Sequence, residues 1–222
     1  MLARSGVGLS RGVLTGVSRR SKERRLKSRR QGDSPGPTWN LDFAKIVSMD
    51  LSYPIGKFEA PVSLDAGLRR EWLRQLAEAP ARFREAVRGL DDAQLDTPYR
   101  PGGWTIRQVV HHVADSHMNA YIRYRLALTE DQPAIKPFDQ DAWAELADAR
   151  TLPVEPSLAI LEGAHRRQVA LVESLAEADF ARTFFHPERG VVRLDSNLAM
   201  YAWHGRHHEA HILGLRERMG WK

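Results

Sequence analysis

Nine histidines and no cysteine in 222 residues set the chemistry open to this chain. Without thiols there is no disulfide and no thiolate ligand, so any metal site must use nitrogen and oxygen donors. The histidines are unevenly placed. His204, His207, His208 and His211 crowd into one segment, His111, His112 and His117 form a second group, and His165 and His186 stand apart. On a helix, positions i, i+3, i+4 and i+7 share a face, which is the spacing of the 204–211 group. An i, i+4 pair of imidazoles can converge on one ion, as in helical His-x-x-x-His sites. Such a pair needs a third ligand from another element, and the 111–117 group offers candidates on what reads as a facing helix. A lone interior histidine usually does no more than satisfy a buried hydrogen bond. Four on one face, buried without partners, would cost about a few kcal/mol. That favours a divalent-metal site over the competing reading, a histidine cluster facing solvent.

The elements that must carry these side chains are helices. Apolar spacing of three and four residues opens near Leu64-Asp65-Ala66 and continues through Leu68, Trp72, Leu73 and Leu76. Pro80 is expected to interrupt or end that piece, before Phe83, Ala86, Val87 and Leu90 extend the stripe. Asp91-Asp92 and Thr97-Pro98 mark a turn, and residues 99–103 a loop. Thr105 is a candidate N-cap for a long helix to about Thr129, with Ile106, Val109, Val110, Val113, His117, Tyr121 and Leu128 facing in. Four prolines between residues 131 and 156 describe a long crossover with one helical turn around Trp143. Ser157 is expected to cap a third helix with Leu158, Leu161, Leu171 and Leu175 inward. Phe184-Phe185 and Val191-Val192, about a tight turn at 186–190, predict a small hairpin. Asp195 or Ser196 would start the last helix, which runs to Met219 and stops at Gly220. The expected fold is all-α: a four-helix bundle with a long crossover and a small hairpin. Trp72, Trp104, Trp143 and Trp203 read as core packing, and the charges of the first helix as a solvated face. Gly102-Gly103 lacks the Lys and Ser/Thr of a phosphate loop.

Charge divides the chain. Residues 1–48 hold eleven Lys/Arg against three Asp/Glu, a balance of +8, whereas residues 49–222 sum to −3. A nucleic-acid reading would rest on the tail alone, so none is expected for the folded domain. The tail has no periodicity and is expected to be disordered. It reads as a basic arm for an anionic partner, as a transit peptide, or as residues outside the natural protein, whose start would then be Met49; the last is preferred. Two domains follow: an extension at 1–48 and a metal-binding bundle at 49–222, the latter opening with an extended lead-in across residues 49–65. No apolar run reaches the roughly 18 residues a membrane span needs, and the expected location is the cytoplasm.

Pro101-Gly102-Gly103-Trp104-Thr105-Ile106-Arg107-Gln108, followed by Val109-Val110-His111-His112-Val113-Ala114-Asp115-Ser116-His117, resembles the YfiT family of metal-dependent hydrolases in the DinB/YfiT-like superfamily. Tyr201-Ala202-Trp203-His204, His207-His208-Glu209-Ala210-His211-Ile212 and Arg218-Met219-Gly220-Trp221 resemble it in the same order, as do Leu126–Glu130 and Ile135–Phe138. The resemblance runs from Met49 to the end of the chain. It implies an up-down-down-up bundle, a homodimer and one divalent ion per chain held by three histidines, with zinc the ion usually assigned and nickel the other candidate. Carried over by motif, the ligands are His112, His204 and His208, with His111 the runner-up and His207 and His211 lining the pocket. Asp115, Ser116 and Asn119 would share the face of His112.

Three neutral ligands leave a coordination position open, the pattern of catalytic rather than structural zinc. Hydrolysis of a small polar substrate by an activated water is the first expectation, with Asp115 or Glu209 as the proton acceptor. Transfer of a low-molecular-weight thiol is the second, since the same site would serve it. Metal binding without turnover is the third.

Overall fold

A computed structural model describes residues 50–61 and 64–222. The expectations for residues 1–48 therefore fall outside the described residues. The elements are α1 (Ala66–Val87), α2 (Asp92–Leu95), α3 (Ile106–Thr129), α4 (Gln140–Ala144), α5 (Ala147–Thr151), α6 (Glu155–Glu173), a 3-10 turn (Glu177–Ala181), β1 (Thr183–His186), β2 (Gly190–Arg193) and α7 (Leu194–Met219). The four long helices α1, α3, α6 and α7 form the bundle. No described helix is long and apolar enough to cross a membrane.

Local chemistry accounts for most boundaries. Asp65 caps α1 by accepting from Leu68 N at 2.9 Å. Thr105 caps α3 in a reciprocal box: its hydroxyl accepts from Gln108 N, and Gln108 Oε1 accepts from Thr105 N. Gly220, at φ +66°, ends α7 in the left-handed conformation that glycine adopts without steric cost. The hairpin pairs Thr183 with Arg193 and His186 with Gly190 in antiparallel register. It is joined by the crossover, where Ile135 N donates to Phe185 O at 3.0 Å.

Four expectations need correction. Pro80 neither ends nor interrupts α1, which runs through it; packing on two sides holds the helix against the missing hydrogen bond. Ser157 does not cap α6. That helix starts at Glu155 with Pro156 in its first turn, where a missing N–H costs nothing, and Ser157 is buried instead. Arg193, rather than Asp195 or Ser196, precedes α7; Asp195 lies in the first turn, fully buried and paired with Arg193 at 2.7 Å. The crossover holds two short helices, α4 and α5, rather than one. The inward face of α3 is also wider than its apolar spacing indicates. Ala120, Tyr124 and Ala127 are buried and Leu128 only partly, with the Tyr124 hydroxyl donating to Leu194 O at 2.6 Å.

Cross-helix contacts fix the topology. α1 and α3 each pack on both α6 and α7, so the square runs α1, α6, α3, α7. Along α1 and α6 contacts run in opposite directions, Leu76 to His165 and Arg84 to Glu162. Along α1 and α7 they run together, Arg82 to Glu209 and Ala86 to Arg216. α3 is parallel to α6, with His111 at Ser157 and His117 at His165, and antiparallel to α7, with His117 at His204 and Tyr124 at Leu194. The bundle is therefore up-down-down-up, and the long crossover exists because α3 and α6 are parallel neighbours.

Two apolar layers fill the interior. One gathers Phe83, Val109, Val113, Leu161, Ile212 and Leu215. The other gathers Leu76, Tyr124, Val172, Phe184, Leu194 and Leu198. Between them, at mid-height, α3, α6 and α7 contribute His117, His165, Gln168 and His204. The histidines thus form a polar stratum across the bundle.

Candidate metal centre

His204 and His208 are one turn apart on α7, and the antiparallel α3 brings His112 opposite them. His112 Nε2 lies 3.3 Å from His204 Nε2, and His208 Nε2 lies 3.2 Å from the same atom. One nitrogen from each of the three residues falls within 4.8 Å of the others. Ligands about 2.0–2.1 Å from a tetrahedral zinc ion would stand about 3.3 Å apart, so these imidazoles fit a divalent ion of that size. His112 and His208 are buried and His204 is half-buried. Burial pushes His112 down to about 4, with the nearby His207 adding to it, and holds His204 and His208 well below the ordinary imidazole value. All three rings are therefore neutral at pH 7, as metal ligation requires. Trp104 lies against the centre, 4.6 Å from the His112 ring and 6.4 Å from the His208 ring.

His111 points elsewhere. Its Nε2–H donates to Leu152 O at 3.3 Å and its Nδ1 accepts from the Ser157 hydroxyl at 2.7 Å. These bonds tie α3 to the crossover and to α6.

A second trio, His207, His208 and His211, also satisfies the distance condition for an ion. It shares His208 with the first and comes from α7 alone. His211 Nε2–H donates to Ser52 O at 3.3 Å and its ring stacks on Tyr99 at 4.0 Å. His207 stacks on Trp203 at 4.5 Å and meets Tyr53 at 5.8 Å. Residues 50–61 thus lie over the middle of α7, as expected for a lead-in across the domain, and the outer two rings of the trio are engaged in holding it. The Nδ1 atoms of His207, His208 and His211 are buried without a hydrogen-bond partner among the described residues.

The far side of His204 is fully connected. Its Nδ1 lies 3.1 Å from His117 Nε2, His117 Nδ1 lies 2.8 Å from His165 Nε2, and His165 Nδ1 lies 2.6 Å from the Leu76 carbonyl oxygen. Spacing along the sequence gives no hint of this chain, because His165 sits alone on a helix diagonal to α7.

The two carboxylates singled out from the sequence are placed differently. Glu209 is held by Arg82 of α1, with Arg82 Nε donating to Oε1 at 3.0 Å. Asp115 is half-buried, and burial together with the nearby Asp148 carboxylate raises it to about 6. Asn119 donates to the Asp115 main-chain carbonyl. Ser116, not Asp115, lines the cavity at His204, along with Tyr201, Trp203, Arg123 and Arg189. Arg123 is buried and donates to the Tyr201 hydroxyl at 3.2 Å; among the described residues no carboxylate pairs with it. Lys57 lines the same cavity. An adjoining cavity, reaching His208 and His211, adds Arg100 with Asp141 as its acid. The approach to the centre is therefore cationic.

Residues 75–212 match the DinB superfamily. YfiT of Bacillus subtilis (strain 168), provisionally named a metal-dependent hydrolase, is 49% identical over 177 residues, 79% of this chain and 99% of its own length. A relative from Bacillus mycoides (strain KBAB4), named in the same provisional way, is 51% identical over 172 residues, 78% of this chain and 99% of its own. The solved YfiT structure, described as "a probable metal-dependent hydrolase with an unusual four-helix bundle topology", superimposes with a TM-score of 0.76 at 49% identity, covering 78% of this chain and 99% of YfiT. The up-down-down-up order found here agrees with that kinship: this chain belongs to the DinB superfamily and, within it, to the YfiT family.

Proposed function

We propose that this protein is a metal-dependent hydrolase of a small polar substrate, with one divalent ion per chain held by His112, His204 and His208. The observation that carries the reading is the meeting of three neutral imidazole nitrogens, at separations suited to one ion, beside a cavity rather than inside a sealed core. Such an ion supplies Lewis acidity and lowers the pKa of a water towards about 7. The names of the relatives support metal dependence. Zinc is the ion we assign, with nickel the alternative, since imidazole accommodates both.

The remaining roles fall to the chain's own side chains. Arg123, Arg189 and Lys57 would attract and orient negatively charged or strongly polarised groups. Trp104 and Trp203 wall the approach and limit the water around the site. Of the two carboxylates considered for proton handling, Asp115 is the one not held in an ion pair, although Ser116 rather than Asp115 faces the cavity. Asp115 stands one turn from His112 on α3 and is raised to about 6 by burial, whereas Glu209 is committed to Arg82. The homodimer implied by the family resemblance belongs to the same proposal.

The test is turnover by the full-length protein, stripped of metal and reloaded with zinc or nickel, on a panel of small esters and amides and of thiol–electrophile pairs. Ion-dependent hydrolysis that is lost in His204→Ala supports the proposal. Turnover only of thiol–electrophile pairs would replace hydrolysis by thiol transfer, and no turnover on any of them would leave a metal-binding protein.

A further inference from the structure

The imidazole chain behind His204 has an origin in α1. In a helix the carbonyl of residue i accepts from the N–H of residue i+4, so Leu76 O would ordinarily accept from residue 80. Residue 80 is proline and has no N–H, and α1 continues through it. The Leu76 carbonyl is thereby released from the helical ladder in the interior of the bundle. A buried carbonyl without a partner is costly, and His165 Nδ1 meets it at 2.6 Å.

That contact fixes protons in sequence. A carbonyl oxygen can only accept, so His165 Nδ1 carries the hydrogen. His165 is buried, pushed down to about 4 by desolvation and thus neutral at pH 7, so its Nε2 has only a lone pair. The 2.8 Å contact from that Nε2 to His117 Nδ1 then requires the hydrogen on His117 Nδ1. His117 is fully buried among His165, Tyr201 and His204, with no carboxylate in contact among the described residues to balance a charge, so the ring is neutral and its Nε2 is an acceptor. The 3.1 Å contact to His204 Nδ1 therefore places the His204 hydrogen on Nδ1. What remains is an Nε2 lone pair on His204, facing His112 and His208.

We propose that Pro80, by freeing the Leu76 carbonyl, sets the tautomer of His204 through His165 and His117, so that its Nε2 is always presented to the metal. His165 and His117 are positioning residues, not ligands. A metal-ligating histidine usually has its other nitrogen held by a carboxylate, carbonyl or water; here a carbonyl performs that task across two intervening rings. Placing two more polar rings in the bundle interior is sensible only if every nitrogen on the line is satisfied, and every nitrogen of this line is. The proposal rests on the metal reading above only for the use made of the exposed lone pair.

The test is imidazole nitrogen NMR of the metal-free full-length protein at pH 7.5, with titrations of zinc alone. The expected spectrum shows His165, His117 and His204 as the neutral Nδ1–H tautomer. An Nε2–H tautomer at any of the three would overturn the chain. His165→Leu removes the acceptor for His117 and should give mixed tautomers at His117 and His204, with the zinc Kd raised about 10-fold or more. His165→Gln keeps a side-chain oxygen for His117 and an amide N–H for Leu76 O, and should restore both readouts towards wild type. If His165→Leu binds zinc as tightly as wild type with His204 still in one tautomer, the proposal fails. If His165→Leu does not fold, the wild-type spectrum and the glutamine variant decide. Failure of the wild-type protein to bind zinc at all would overturn the metal reading instead, a result separate from the tautomers.

Discussion

His112 and His204 present their Nε2 atoms to each other across 3.3 Å although 92 residues separate them in the chain. Two neutral nitrogens so placed gain little from each other, while an ion between them would bind both. Replacing either His204 or His208 by alanine should strip the ion from the full-length protein, since two imidazoles remain and the affinity lost exceeds the 10- to 100-fold of an outer-sphere change. Metal content by elemental analysis decides it, and full retention in both variants would place the ion elsewhere.

His111 separates the ligand reading from its runner-up. With its nitrogens committed to Ser157 and Leu152, His111→Ala should keep its metal and lose about 1–3 kcal/mol of folding stability through unpaired buried groups. His112→Ala should show the reverse emphasis, with the metal lost. Metal loss in His111→Ala with retention in His112→Ala would exchange the two roles.

The buried imidazoles predict a pH dependence. His112, His165 and His207 are held at about 4 and His211 at about 3, chiefly by desolvation. The unfolded chain protonates its histidines near 6.5. The neutral form is thus the one the fold favours: the contribution is complete above about 6.5 and is lost as pH falls from there towards about 4. Each such group contributes a slope of up to about 1.4 kcal/mol per pH unit. Urea midpoints of the metal-free protein between pH 7.5 and 4.5 should therefore fall with a slope of several protons. A flat profile would mean that the cluster is open to solvent.

Gly205 sits between the ligands on α7, and a methyl group added there would meet Ala79 Cβ at 3.7 Å and His117 Cε1 at 3.8 Å, ordinary contact distances. Glycine within a helix costs about 0.5–1 kcal/mol relative to alanine. Gly205→Ala should raise stability by about that amount with metal content unchanged, as thermal or urea denaturation would show; a loss of stability would mean that α7 lies closer to its neighbours than these distances indicate.

The histidine face of α7, the Thr105 and Gly220 caps and the four long helices were legible because each depends on spacing or on one residue's local chemistry. The contact of α6 with α1 and α3 was not, since nothing along the chain says which faces meet when connections are long. His165 therefore stood apart in the sequence, and Pro80 read only as a break. A proline tells of a missing N–H; that the carbonyl it releases meets an imidazole depends on a helix 85 residues downstream of it. For the same reason Asp115 and Glu209 could be ranked only after Asp148 and Arg82 were seen beside them.

Anomalous diffraction at the metal edge, from crystals of the metal-loaded full-length protein, locates the ion directly. One ion per chain is expected, about 2.0–2.1 Å from a nitrogen of each of His112, His204 and His208, with at least one further ligand that is not a protein side chain. An ion seated instead on His207, His208 and His211, or closed off by a fourth side chain, would contradict that assignment.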